Sequence, residues 1–248
     1  MDRFIFIASS GASQLLQQQA VAAHNLANAS TAGYKAETSA FRVAPVSGPG
    51  DPTRAYSVDT STGADLAPGV LQQTGRDLDV AIEGEGFFAV QSRDGTEAYT
   101  RAGSFSITAD GELTTRDGAT VLGDGGPITV PSESRISIGR DGTVTATNAG
   151  QPGGGASVVG KLKLVNAAKG DLVKGGDGLF RTRGGGPAET DDNVRVAAGV
   201  LESSNVNPIS AMVDMINLQR QFEMQMKLLS NAEGNDQRAS QLLSINPA

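Results

Sequence analysis

Apolar residues recur at Phe4, Ala8, Gly11, Leu15, Ala22 and Leu26, in alternating steps of four and three with one position skipped. That spacing predicts an amphipathic helix at the start of the chain. Residues 1–32 hold no proline, Gly11 is their only glycine, and Gly33 stands where a C-capping glycine is expected. The far end repeats the pattern. Met215, Leu218, Phe222, Gln225, Leu229, Ala232, Asp236, Ala239 and Leu243 follow three-four steps, a heptad seam with two polar interruptions. Ile209, Met212 and Ile216 add a second apolar strip. Asn207 can cap this helix and Pro208 suits its first turn. At 1.5 Å per residue it would run roughly 55–60 Å, with Gly234 as an expected point of interruption. No β domain of this size can cover such a seam, so it calls for the N-terminal helix, other subunits, or both.

Between the two helices the period changes to two. "SFSITADGELTT" (104–115) reads as strand, turn, strand around Asp110-Gly111, and "RISIGRDGTVTA" (135–146) repeats the plan around Asp141-Gly142. Strands are expected at about 80–90, 97–108, 112–115, 128–130, 136–146, 158–166, 179–183 and 194–203, whereas 36–75 shows little pattern. The expected fold is mixed and mainly β: an all-β central domain flanked by N- and C-terminal α-helices that pair in a helical assembly. Its expected parts are residues 1–33 as N-terminal helix, 34–75 as extended or loop-like connector, 76–206 as β domain and 207–248 as long C-terminal helix.

Composition narrows the function. The net charge of −7 disfavours nucleic acid and anionic membrane as partners, since both need a basic face. No apolar run reaches 18 residues, so no membrane-spanning helix is expected. The run Phe4–Ala8 is too short for a signal-peptide core, which leaves the cytoplasm or an export route that reads something else. With no cysteine and His24 as the single histidine, zinc sites and histidine-based nucleophile triads are excluded. "GASVVGKL" (155–162) approaches a phosphate-binding loop, but Leu162 stands where a hydroxyl is needed and the sequence continues as a strand. "GEGFFA" (84–89) fails as a dinucleotide motif for the same reason. The Asp-Gly pairs lack calcium-loop spacing. No catalytic residue, metal site or cofactor is expected, and the chain is not expected to be an enzyme.

One stretch needs another explanation. "NLANASTAGYK" (25–35) places Asn25 and Asn28 on one helix face, follows them with Ser30 and Thr31, and ends at Gly33. This motif resembles the N-terminal signature of the flagellar rod and hook proteins, the axial proteins of the bacterial flagellum. "LDVAIEGEGFFAVQSRDGTEAYTRAGSFSITADGELTT" (78–115) is similar to that family's central β segment, and "SSNVNPISAMVDMINLQRQFEMQMKLL" (203–229) to its C-terminal helix. The start "MDRFIFIASSGASQ" and the run Phe222–Lys227 look most like proximal-rod members. Ala32 departs from the Asn or Pro that relatives often carry there.

The resemblance implies a structural subunit of the proximal rod. Its terminal helices would lie in the inner layer of a tube around an export channel, and its β domain would project outward. Its partners would be copies of itself, other rod proteins and the flagellar export apparatus. The rod crosses the periplasm, and the subunit would reach it without a cleaved signal peptide. The residues expected to carry assembly or the junction between helix and β domain are Leu15, Leu26, Asn25, Asn28, Gly33, Met215, Leu218, Phe222, Leu229 and Leu243. Two other readings are a distal-rod or hook-type member of the same family, and a secreted carbohydrate-binding or cleaving β module with a coiled-coil tail.

Overall fold

The computed structural model describes residues 2–45, 55–131, 134–148, 156–168 and 170–244. The described residues form two helices, α1 (Asp2–Ala27) and α2 (Pro208–Ser244), with eighteen short strands between them. The chain forms two compact units. One comprises Met1–Ala27, Glu37–Gly63 and Asn207–Ala248, and the other Asn28–Ala36 and Ala64–Val206. The division runs through the expected connector: residues 37–63 belong with the helices, and 34–36 and 64–75 with the β unit. The weakly patterned stretch also holds regular structure. Strands β1 (Glu37–Pro45) and β2 (Ala55–Ala64) pair as a two-stranded sheet.

In the helical unit, α1 and α2 lie side by side in opposite directions. Gln225 Nε2 donates to the Ala8 carbonyl at 3.0 Å, and Gln19 Nε2 donates to Gln219 Oε1 at 3.0 Å. Gln225 is one of the polar interruptions of the seam, and this bond gives its amide a partner on α1. Gly11 makes room for it: a β-carbon there would stand 3.1 Å from Gln225 Nε2. Asn207 caps α2, its Oδ1 accepting from the Ile209 and Ser210 amides at 3.0 and 3.2 Å. Gly234 does not interrupt the helix. One interior glycine costs only about 1 kcal/mol relative to alanine, too little to break a helix of this length.

The β unit is built around β5 (Phe87–Gln91), whose faces are both buried. Phe88 and Val90 enter one apolar cluster with Val80, Phe105, Leu113, Val121 and Val144, and Phe87 and Ala89 enter a second with Tyr99, Val165 and Phe180. Phe88 meets Phe105 edge to face at 5.3 Å. The main sheet places β5 between β6 (Glu97–Thr100) and β9 (Thr120–Gly123). It runs on through β8 (Leu113–Thr115) to β7 (Phe105–Ile107) on one side, and through β16 (Phe180–Thr182) to β15 (Leu172–Lys174) on the other. Strands β10 (Gly126–Pro127) and β14 (Leu164–Val165) pair with β9 and β5. A second sheet holds β11 (Ser134–Ile138), β12 (Thr143–Asn148) and β13 (Ser157–Lys161). Two further pairs complete the unit: β4 (Val80–Glu83) with β17 (Arg195–Ala198), and β3 (Leu71–Gln73) with β18 (Val200–Glu202). The two Asp-Gly hairpins form as expected, with Gly111 and Gly142 both at positive φ. The expected single strands over 80–90 and 97–108 are each broken in two. Gly84 and Gly86 take φ of 89° and 131°, and Gly103 crosses so close to the Val80 carbonyl that a β-carbon there would sit 1.7 Å from its oxygen.

Candidate assembly and junction site

The candidate assembly residues lie on the two helices. Leu15 and Leu26 on α1, and Met215, Leu218, Phe222 and Leu229 on α2, are all half-buried. On α2, Ala211, Met215, Leu218, Phe222, Gln225, Leu229 and Ala232, at steps of four and three, are less exposed than their neighbours, as is Gly234. Leu243 lies within α2, but its side chain, like those of Phe4, Asp236 and Ala239, falls outside the described residues. At 3.6 residues per turn, Ile209, Val213 and Ile216 lie roughly opposite the seam, and Met212 lies on its flank. They are well exposed, Ile209 at 73% and Ile216 at 53%. The helical unit therefore carries apolar surface on the side of α2 away from its seam.

The junction motif divides at Ala27. Helix α1 ends there, six residues before Gly33, because the next residues bond to one another. The Thr31 amide donates to the Asn28 carbonyl at 3.1 Å, and Thr31 Oγ1 donates to Asn28 Oδ1 at 3.2 Å. In the helical unit, Asn25 treats Glu37 as a strand partner would. Its Nδ2 donates to the Glu37 carbonyl at 2.9 Å and its Oδ1 accepts from the Glu37 amide at 2.8 Å. His24 Nδ1 lies 3.0 Å from Glu37 Oε2.

Gly33 belongs to the β unit, with φ of 70° and its amide donating to the Glu202 carbonyl at 2.7 Å. A β-carbon on Gly33 would meet the Arg101–Ala102 peptide at 2.3 Å. Two constraints thus select glycine: a left-handed backbone, and a backbone neighbour that leaves no space.

Beside Gly33 the structure gathers residues that sequence reading missed. Lys35, Arg101 and Glu202 form a charged cluster with side chains 0%, 5% and 1% exposed. Lys35 Nζ donates to Glu202 Oε1 at 2.6 Å and to the Ala67 carbonyl at 2.8 Å. The Gly69 amide donates to the same Oε1 at 2.8 Å. Arg101 donates through Nη1 to Glu202 Oε2 at 3.1 Å and through Nη2 to the Gly84 carbonyl at 2.8 Å, with its guanidinium 5.2 Å over the Phe87 ring. Burial pushes the Lys35 ammonium below its usual pKa, and the hydrogen bond and charge of Glu202 pull the other way. Lys174 Nζ sits 3.8 Å over the Tyr34 ring and donates to the Lys35 carbonyl at 2.9 Å. Asn205 completes the group. Its Oδ1 accepts from the Ala36 amide at 2.7 Å, and its Nδ2 donates to the carbonyls of Asp65 and Ala67 at 2.8 and 3.2 Å. A signal for this cluster was present. Lys35 closes the first family-like stretch, Arg101 sits in the middle one, and Glu202 immediately precedes the last, which contains Asn205.

Comparison with known proteins identifies the family. Residues 5–35 match the family described as flagella basal body rod protein, residues 81–146 the flagellar hook protein FlgE/F/G D1 domain, and residues 197–242 the flagellar basal body rod FlgEFG protein C-terminal family. The chain belongs to the flagellar basal-body rod family of axial proteins. Within it, the chain is 47% identical to the flagellar basal-body rod protein FlgF of Escherichia coli K12, covering 99% of this chain and 100% of that one. Identity and coverage are the same for FlgF of Salmonella typhimurium LT2. FlgG of Buchnera aphidicola subsp. Acyrthosiphon pisum is 32% identical over 90% of this chain and 92% of its own. The protein is a structural subunit of the flagellar basal-body rod, and the comparisons favour this over a carbohydrate-binding module. Its family places it in the basal body, in assembly with other rod proteins.

Proposed function

We propose that the chain builds the proximal part of the rod, a tubular shaft that transmits torque around an export channel, and that it is delivered there by the flagellar export apparatus. It has no catalytic role in this reading. The observation that carries the reading is the α2 surface: a half-buried seam on one side, Ile209, Val213 and Ile216 exposed on the other, and Met212 exposed on the flank of the seam. Exposed apolar side chains on one stripe of a helix imply a partner, because most helix stability comes from packing such a face. The partner here is the helical layer of neighbouring rod subunits. Met215, Leu218, Phe222 and Leu229, with Leu15 and Leu26 on α1 and Leu243 near the end of α2, maintain the layer. Asn25, Asn28 and Gly33 shape the passage from α1 to the β unit.

Ile216→Asp tests this directly, since it adds a charge on the far side of α2 from the seam. The variant is expected to express, stay soluble and melt like the parent, yet to be absent from purified basal bodies, leaving cells without filaments. Normal basal bodies in an Ile216→Asp strain would rule out this face as a subunit contact.

A further inference from the structure

We infer that Asn205 is a positioning residue, which holds three chain exits of the β unit in one fixed block. The chain crosses between the two units at 27/28, 36/37, 63/64 and 206/207. Three of the β-unit segments beside these crossings are 34–36, 65–67 and 202–206. Asn205 lies on the last and bonds to both of the others through its side chain: to the first at the Ala36 amide, to the second at the carbonyls of Asp65 and Ala67. Its own amide donates to the Tyr34 carbonyl at 3.4 Å. The Asp65 amide donates to the Ala36 carbonyl at 2.8 Å, so the first two segments also bond to each other.

The amide group suits this task because it accepts on one side and donates twice on the other. Aspartate keeps the acceptor and loses both donors, and alanine loses all three bonds. Asn205 is a member of neither apolar cluster; these are made of residues such as Phe88, Val90, Phe105, Tyr99 and Phe180, although Asp65 and Ala67 flank Leu66, which packs on the second. Its removal therefore loosens the exits and leaves the cores packed. For a subunit that carries torque, slack at the exits is a mechanical defect without being a folding defect. Only that last consequence rests on the rod reading.

The test uses the full chain, whose lack of cysteine permits clean spin labelling at Asp110→Cys and Arg220→Cys. The interlabel distance distribution and amide exchange are then compared in this parent, Asn205→Ala and Asn205→Asp. In Asn205→Ala, the Ala36 amide is expected to exchange roughly tenfold faster or more, the loss of about one hydrogen bond. The distance distribution broadens, while the Ala89 and Val121 amides stay within about twofold of the parent. Asn205→Asp recovers Ala36 protection in part but keeps the broad distribution. Equal widths in parent and Asn205→Ala would overturn the inference. So would loss of core protection in step with Ala36, which would make Asn205 an ordinary stability residue. A chain that behaves as expected in both measurements yet supports normal motility under viscous load as Asn205→Ala would leave the clamp standing and count against its mechanical use.

Discussion

The helical unit and the β unit use apolar surface in opposite ways. In the β unit, Phe88, Val90, Phe105, Leu113, Tyr99 and Val165 are all but inaccessible, and β5 is buried on both faces. In the helical unit, the α2 seam is half-buried and Ile209, Met212, Val213, Ile216, Met224 and Leu228 are exposed. Burying a large apolar side chain is worth about 1.5–3 kcal/mol, so the β unit has secured that stabilisation within the monomer and the helical unit has not. Polar groups follow the same division. The β unit buries a charged cluster whose members hold one another, whereas the helices exchange glutamine hydrogen bonds that are part-buried at Gln225 and exposed at Gln219. On the proposed reading, such a subunit would fold its β part alone and complete its helical part in contact with neighbours.

The sharpest way to break this contrast is to attack the β unit where it is most committed. Glu202→Ala leaves Lys35 and Arg101 as buried cations without their carboxylate. It is expected to cost about 3–5 kcal/mol, read as a lowered chemical-denaturation midpoint of the β unit. Next comes Gly33→Val. It forces a β-branched residue into φ of 70° and against the Arg101–Ala102 peptide, where a β-carbon has only 2.3 Å. The expected cost is about 2–5 kcal/mol, and Gly33→Ala should lose less, because alanine adds only the β-carbon. If both substitutions left the β unit melting unchanged, its self-sufficiency would have to lie elsewhere.

A smaller effect reports on the second core. The Tyr99 hydroxyl donates to Glu97 Oε1 at 2.9 Å and accepts from the Ala188 amide at 2.6 Å. Burial, with a lesser push from Glu97, raises its pKa to about 12. An unfolded chain releases this proton near 10, so the stabilisation from neutral Tyr99 is complete below pH 10 and lost as pH rises to about 12. Ultraviolet absorbance is expected to show a late-titrating tyrosine component that Tyr99→Phe removes.

Much of this was legible in the sequence because periodicity survives folding. The three-four seam of α2, the Asn207 cap and the Asp110-Gly111 and Asp141-Gly142 hairpins all rest on local spacing or turn chemistry. What was not legible depended on contacts distant along the chain. β1 and β2 lack clean alternation. Lys35, Arg101 and Glu202 lie far apart in sequence and are charged, so each alone reads as a surface residue, and only their mutual pairing allows burial. Gly33 was singled out as a helix end, but its tighter constraint is the peptide of Arg101, about seventy positions away.

Amide exchange of the dilute, confirmed monomer tests most directly whether the two units differ as described. Stability that has yet to be gained from neighbours leaves local opening cheap. The amides of α1 and α2 are expected to exchange about a hundredfold faster, or more, than those of Ala89, Val90 and Val121, despite the pairing of the two helices. Protection of α1 and α2 equal to that of β5 would contradict the account, since the helical unit would then be complete without a partner.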